Sequence, residues 1–206
     1  MYFFSTPCII KKIHKRNFIW EIHNKENAIY ITFDDGPNTE TTPWILDELK
    51  KYSAKATFFC LGKNIIEYPS VYKLMLDKGH VVGNHSYSHY DGWKTGTSRY
   101  LEDIDHCDQL IKSNLFRPPY GRLKLAQLKS LKNKYSVIMW SKMSGDFDIK
   151  LDKDKCLESL LNNSKSGDIV VFHDSLKAKE NVRYILPRYL KYLHENNFAL
   201  LPIPTC

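Results

Sequence analysis

The sequence predicts a single-domain α/β protein, a distorted (β/α) barrel with about seven parallel strands. Seven short apolar runs alternate with longer segments of helical spacing, and parallel strands need such helical crossovers. The chain has 206 residues, fewer than the about 250 of the usual eightfold barrel, so one unit should be missing or distorted. No repeat, low-complexity tract or linker interrupts residues 28–206, which we expect to form one folded domain after an N-terminal arm over residues 1–27.

The predicted strands are the apolar runs. They are short and rich in β-branched or aromatic residues, as in AIYITFD and DIVVFH, which is typical of buried parallel strands. The runs lie at 28–34, 56–61, 80–84, 115–120, 135–141, 168–173 and 198–203.

Four segments between these runs repeat apolar residues at helical intervals. They lie at 43–52, 97–114, 153–164 and 178–196. Thr42 is predicted to cap the first helix, with Pro43 at its first position. The stretch SKSGD is predicted to end the third helix, and Pro187 to kink or restart the fourth.

The composition is that of an ordinary globular protein, with 43% apolar and 26% charged residues. The formal net charge is +7, but the lysines are spread over the predicted helices. We therefore expect a solvated basic surface and no nucleic acid partner. The five cysteines are dispersed and contain no C-x-x-C pair, which argues against a disulfide framework or a structural zinc site.

The N-terminal stretch MYFFSTPCII precedes the basic cluster KKIHKR, whereas a secretory signal places its positive charge first. No run approaches the about 20 apolar residues of a membrane span. We expect a cytoplasmic monomer without a transmembrane segment. Peripheral membrane association through the aromatic terminus and the basic cluster is the alternative.

Polar residues follow several of the runs, at the carboxyl ends of the predicted strands, where chemistry gathers in such folds. The first run ends in Asp34 and Asp35, and the third leads to His85 and His89. One carboxylate and two imidazoles can bind a divalent metal and leave a position open for water, as in catalytic zinc sites. A spacing of four brings both histidines to one side if a helical turn starts there. The metal would also keep the second aspartate ionised.

These motifs resemble the polysaccharide deacetylase family, the NodB homology domain of carbohydrate esterase family 4. TFDDGP, HSYSH, RPPYG and IVVFHD occur in the family's order, and the match extends from about residue 28 to residue 203. The resemblance implies a distorted β/α barrel and metal-dependent removal of acetyl groups, typically from N-acetylglucosamine units. The expected partner is an acetylated glycan or oligosaccharide. The expected cofactor is a divalent metal, with Zn²⁺ favoured over Co²⁺ or another ion.

The resemblance also implies roles for individual residues. The metal ligands would be Asp35, His85 and His89. The catalytic set would be Asp34 as general base, Arg117 orienting that base, the backbone amide of Tyr120 supporting the oxyanion, and His173 as general acid. The substrate would contact Pro118, Pro119, Trp140, Asp146, Phe147 and Val171.

One motif departs from the family pattern, which is usually Trp-x-x-Asp-x-x-Asp-Trp. The register here gives Trp140, Met143, Asp146 and Phe147. Because a thioether accepts a charged hydrogen bond poorly, His173 is expected to lose the acid that would raise its pKa. Asp146 or Asp148 could replace that acid from a different angle.

Three alternatives remain open from the sequence. An O-acetyl polysaccharide esterase of the acetyl xylan type would use the same site and depend less on a general acid, because an alkoxide leaves more easily than an amine. A binding module would keep the fold without turnover. An Fe(II) oxygenase also uses two histidines and one carboxylate, but mostly on a different fold. Beside the histidine pair, Trp93, Tyr90 and Tyr87 either stack on sugar rings or pack in the fold.

Overall fold

A curled parallel sheet forms the centre of the molecule in the computed structural model, which describes residues 4–14, 16–23 and 26–205. Seven strands form one path in the order β5-β4-β3-β2-β1-β7-β6, and β8 pairs with β1. All of these ladders are parallel, which confirms the predicted distorted barrel. The strands are β1 Ala28–Asp34, β2 Thr57–Cys60, β3 Val81–Asn84, β4 Leu115–Phe116, β5 Ser136–Val137, β6 Lys142–Met143, β7 Ile169–His173 and β8 Ala199–Leu200.

Helices connect these strands and cover the outside of the sheet. They are α1 Cys8–His14, α2 Thr41–Lys50, α3 Gly62–Glu67, α4 Pro69–Asp77, α5 Thr97–Asp108, α6 Leu125–Leu131, α7 Lys153–Asn163 and α8 Lys179–Glu195. Short 3₁₀ turns lie at Pro119–Gly121 and Leu176–Ala178. Within the described ranges, no helix combines the length and the apolar character that crossing a bilayer requires.

Several predicted boundaries were wrong. The run at 115–120 forms a strand only as far as Phe116, because the following prolines have no N–H for the ladder. Helix α5 ends at Asp108 rather than at residue 114. Pro187 lies inside a single 17-residue helix, so it does not restart α8. The two-residue strand β6 has no matching apolar run among those predicted.

The predicted cap of α2 was also wrong. The helix begins at Thr41, and the side-chain oxygen of Asn38 accepts the first N–H groups, from Glu40 and Thr41. The hydroxyl of Thr42 instead donates to the carboxylate of Asp174 at 2.6 Å. This contact ties the start of α2 to the end of β7.

The residues of β1 alternate between two apolar clusters. Positions 29, 31 and 33 pack under α2 and α8, whereas positions 28 and 30 pack inside the curled sheet. Because side chains alternate along a strand, Thr32 and Asp34 continue the inner row. This period of two places Asp34 at the carboxyl end of the sheet's interior.

The N-terminal arm lies across the open side of the sheet. Ser5 forms an antiparallel bridge with Lys142 of β6, and Ile19 forms a parallel bridge with Ile138, next to β5. Strands β5 and β6 are the two ends of the seven-strand path. The arm therefore pairs with both edges and satisfies backbone groups that an incomplete barrel would leave exposed.

Candidate active site

Asp34 and Arg117 form a buried ion pair at the carboxyl end of β1. An Nη of Arg117 lies 2.7 Å from the Asp34 carboxylate and 2.6 Å from the hydroxyl of Thr32. The guanidinium also donates to the carbonyls of Ile138 and Met139. Burial lowers the pKa of Arg117 from its usual value, and Asp34 opposes this shift. A buried charge needs such a partner, and the pairing fixes the Asp34 carboxylate in place.

Asp35, His85 and His89 converge beside this pair. One oxygen of Asp35 lies 3.5 Å from Nε2 of His85 and 3.1 Å from Nε2 of His89. No helical turn forms at residues 85–89, so the spacing of four is not what brings the two histidines together. Instead, Asp35, Ser86 and His89 have positive φ values of 81°, 66° and 64°. These left-handed residues turn the two loops toward one point.

The hydrogen bonds of this cluster show that the three side chains fit a metal. The Nδ1 of His85 lies 2.7 Å from the carbonyl oxygen of Arg117. Because a carbonyl can only accept, Nδ1 carries a proton, and in the neutral ring Nε2 then presents a lone pair. That lone pair faces an Asp35 oxygen that is buried without a hydrogen-bond partner among the described residues. Converging lone pairs repel unless a cation lies between them, and this donor set suits a divalent metal.

His173 faces the carboxylate of Asp146, one of the two acids that the sequence analysis offered as a replacement partner. Its Nδ1 lies 2.8 Å from Asp146, and its backbone N–H donates to the same carboxylate at 2.7 Å. Burial alone would lower the pKa of His173, but the charge and hydrogen bond of Asp146 raise it to about 9. In the ladder between β1 and β7, His173 lies directly opposite Asp34. The proposed acid and base are therefore neighbours.

Of the possibilities left open for the partner of His173, the structure shows Asp146, which reaches the ring from three residues beyond Met143. His173 therefore keeps an acidic partner. The expected contact of Asp146 with substrate stays a prediction; its side chain is fully buried and also accepts a hydrogen bond from Ser144. Its position fits it for holding His173 rather than for touching a glycan.

The other predicted substrate contacts surround the same centre. Pro118 and Pro119 are buried, and they precede Tyr120, whose φ is 59°. Val171 is buried two residues before His173 on β7, so both point to the same side of the strand.

Two aromatic rings from the departing motif also lie near this centre. Phe147 is half-buried, with its ring 5.3 Å from the ring of His173. The ring of Trp140 lies 5.7 Å from the guanidinium carbon of Arg117. The roles of these residues toward a substrate stay predictions.

Asp174 is a buried residue to which the sequence analysis gave no role. Its backbone N–H donates to the carbonyl of Asp34 at 3.1 Å, and its carboxylate accepts the hydroxyl of Thr42. Burial raises the pKa of Asp174 to about 7. A Cβ at Gly36 would lie 1.9 Å from this carboxylate, so the loop after the acid pair needs glycine here. No sequence spacing could show this contact, because its partners lie more than 130 residues apart in the chain.

Comparison with known proteins agrees with this geometry. The family model described as polysaccharide deacetylase matches residues 21–136. A peptidoglycan-N-acetylglucosamine deacetylase of Bacillus cereus is 32% identical over 191 residues, which are 89% of this chain and 90% of the relative. A second Bacillus cereus protein of the same name is 34% identical over 154 residues, which are 71% of this chain but only 56% of that relative's length.

A solved structure shares the fold over nearly the whole chain. It is the Bc1960 peptidoglycan N-acetylglucosamine deacetylase in complex with a naphthalenyl N-oxidanyl-benzamide. The TM-score is 0.87 at 28% identity, and the match covers 97% of this chain and 95% of that chain.

Proposed function

The chain belongs to the polysaccharide deacetylase family, and from this premise we propose that it removes the N-acetyl group from N-acetylglucosamine units of a glycan by metal-assisted hydrolysis. The named relatives are deacetylases, which are hydrolases of amide-linked acetyl groups. The observation that carries the proposal is the convergence of ligand atoms from Asp35, His85 and His89 beside the buried Asp34–Arg117 pair.

Asp35, His85 and His89 would hold the metal, with Zn²⁺ favoured by two imidazoles and one carboxylate. When bound, a divalent metal lowers the pKa of water and polarises an acyl oxygen. The protein's own contribution is to fix the three donors. The hydrogen bond from Nδ1 of His85 to the carbonyl of Arg117 sets the tautomer and the ring orientation of one of them.

Asp34 would take the proton from the attacking water as general base. Arg117 supports this role because it donates to the carboxylate and holds it in one orientation. The backbone N–H of Tyr120 would donate to the oxyanion, a contact that typically contributes about 3 kcal/mol. Its left-handed φ, fixed behind two prolines, sets the direction of that amide.

His173 would donate a proton to the departing amine. Its Nδ1 faces Asp146, so its other ring nitrogen is the one available to the substrate. A pKa raised to about 9 keeps the ring protonated at neutral pH. An amine is a poor leaving group and needs this proton.

The O-acetyl esterase alternative loses its main support. It was favoured because His173 was expected to lack an acidic partner, and Asp146 supplies one. A fully supported general acid favours the amide over the ester. The names of the relatives likewise favour peptidoglycan-type glycans, which contain N-acetylglucosamine, over xylan.

The test is acetate release from N-acetylated chito-oligosaccharides, peptidoglycan fragments and acetylated xylan, before and after chelation and after re-addition of zinc or cobalt. We expect release from the N-acetylated substrates, loss on chelation and recovery with metal. Asp35→Asn should lose bound metal, whereas Asp34→Asn should keep the metal and lose turnover. Metal-replete protein that releases no acetate from any N-acetylated substrate would contradict the proposal.

A further inference from the structure

Trp93 and Tyr120 are the only exposed aromatic side chains among the residues that the structure describes, and they share one rim of the candidate site. Trp93 is 60% exposed and Tyr120 is 58% exposed. The ring of Tyr120 meets the ring of His89 edge-on, with centroids 4.6 Å apart. Exposed aromatic area is characteristic of surfaces that another molecule covers. Its confinement to this one rim points to a ligand that extends out of the site.

Arg122 connects the two aromatic rings. Its guanidinium carbon lies 5.0 Å from the ring centroid of Trp93 and 5.7 Å from that of Tyr120. An ion pair of 2.7 Å with Asp91 fixes the guanidinium. Because Arg122 lies over one face of the indole, the exposed area of Trp93 belongs to the opposite face and the ring edge. That face is flat and open to a ligand.

The exposed indole is held rigidly. Its Nε1–H donates to the carbonyl of Leu123 at 3.2 Å. Behind it, the buried side chain of Gln127 donates to the carbonyl of Gly92 at 2.9 Å and accepts the N–H of Lys124 at 2.8 Å. These bonds join the loop that follows the histidine pair to the loop that follows Tyr120. A side chain fixed before binding loses little conformational entropy when a ligand covers it.

We propose that Trp93, Tyr120 and Arg122, here called the aromatic rim, stack against a sugar ring next to the unit that is deacetylated. The inference rests on the proposed function and names its substrate more closely, as a glycan of at least two sugars. One face of a pyranose ring presents C–H groups that pack on an aromatic ring, and its hydroxyls can accept from a guanidinium. The contact of Tyr120 with His89 makes the rim continuous with the candidate metal centre.

The activity test compares substrates of different length. The ratio of kcat/KM for tetra-N-acetylchitotetraose to that for N-acetylglucosamine should fall about tenfold in Trp93→Ala, mainly through KM. Trp93→Tyr should recover most of this ratio, because a stacking face is restored. Leu125→Ala is the matched control, since Leu125 is 76% exposed on the adjacent α6 but lies outside the rim. Equal ratios in wild type, Trp93→Ala and Leu125→Ala would overturn the inference.

A binding test separates this inference from the proposed function. Calorimetric titration of tetra-N-acetylchitotetraose into Asp34→Asn protein should give a Kd about tenfold tighter than into the Asp34→Asn, Trp93→Ala double variant. This difference supports the rim even if the wild type releases no acetate. Normal acetate release combined with equal Kd values would overturn the rim and leave the deacetylase assignment standing. A change in oligomeric state in Trp93→Ala, without a change in Kd, would show that a second copy covers the rim and would also overturn the inference.

Discussion

At the scale of single residues, the candidate site depends on buried charges that each have a specific partner. Asp34 is held by Arg117, and His173 is held by Asp146. Removing one member of a buried pair leaves the other uncompensated, which usually costs more than the pair contributes. The conservative amide substitutions therefore test these pairs better than alanine does, because they keep the shape and remove the charge.

Asp146→Asn should change the pH profile of the enzyme. Asp146 raises the folded-state pKa of His173 from 6.5 to about 9, and the general acid works only while it is protonated. Activity of the wild type should therefore decline as the pH rises through about 9. In the variant the alkaline limb of kcat/KM should move to lower pH, because burial is then opposed only by the smaller contributions of Asp35 and Asp34.

The raised pKa of His173 also determines how the free energy of unfolding should depend on pH. A histidine pKa that is higher in the folded state stabilises the fold fully below pH 6.5, and this contribution disappears as the pH rises through about 9.

For the pH profile, Asp148→Asn is the matched control, since Asp148 lies two residues away and its carboxylate accepts a backbone N–H from Lys150. An alkaline limb that stays in place in Asp146→Asn would remove Asp146 from the mechanism.

At the scale of elements, the long buried strands could be predicted from sequence and the short elements could not. Strands β1 and β7 are apolar on both faces, and such runs have few alternative structures. Strand β6 has only two residues and α3 has six, too few to show a period. Tertiary contacts, rather than local preference, decide such segments.

The candidate site divides in the same way. The aspartate pair and the histidine pair could be found because each follows a strand whose apolar run is recognisable in the sequence. The route by which Asp146 reaches His173 depends on the path of the 144–148 loop, which no spacing determines. The positive φ values of Ser86 and His89 could not be predicted either, because neither residue is a glycine, the residue type that usually indicates a positive φ.

Gln127→Ala should loosen the two loops that carry the aromatic rim. The side chain is fully buried on α6 and bonds both Gly92 and Lys124. Its removal leaves a carbonyl and an N–H without these partners, and we expect a loss of about 1–3 kcal/mol in the free energy of unfolding. Denaturant unfolding measures this loss, and limited proteolysis should show faster cleavage within residues 91–95. Lys129→Ala, on the exposed side of the same helix, should change neither, and equal behaviour of the two variants would contradict this interpretation.

At the scale of the whole molecule, the N-terminal arm belongs to the barrel. Backbone hydrogen bonds join it to three sheet segments, from Thr6 to Ser141, from Ile19 to Val137 and from Ile22 to Gly167. Glu21 strengthens the attachment through Lys165 and also pairs with Lys11 within the arm. Burial alone would raise the pKa of Glu21, but the charges and hydrogen bonds of these two lysines outweigh burial and hold the pKa below its usual value. No sequence pattern indicates this attachment, because the bridges are single residues outside any apolar run.

A protein shortened to residues 26–206 should therefore be less stable than the full chain. Five backbone hydrogen bonds join residues 4–22 to the sheet, and at about 1 kcal/mol each their loss would cost on the order of 5 kcal/mol. The edges at β5 and β6 would also be open to pairing with other chains. Thermal unfolding should show a lower Tm, and light scattering should show association that the full chain lacks.

The truncation should also weaken catalysis, because the arm supports the site from behind. The hydroxyl of Thr6 donates to the carbonyl of Trp140 at 2.8 Å, and Trp140 packs near Arg117, which holds the proposed base. Thr6→Val removes this hydrogen bond and keeps the arm, so it separates the support of Trp140 from the other contacts of the arm. We expect a smaller fall in kcat than in the shortened protein, with Tm nearly unchanged. A shortened protein with the Tm and kcat of the full chain would show that the arm contributes neither to the stability of the curled sheet nor to catalysis.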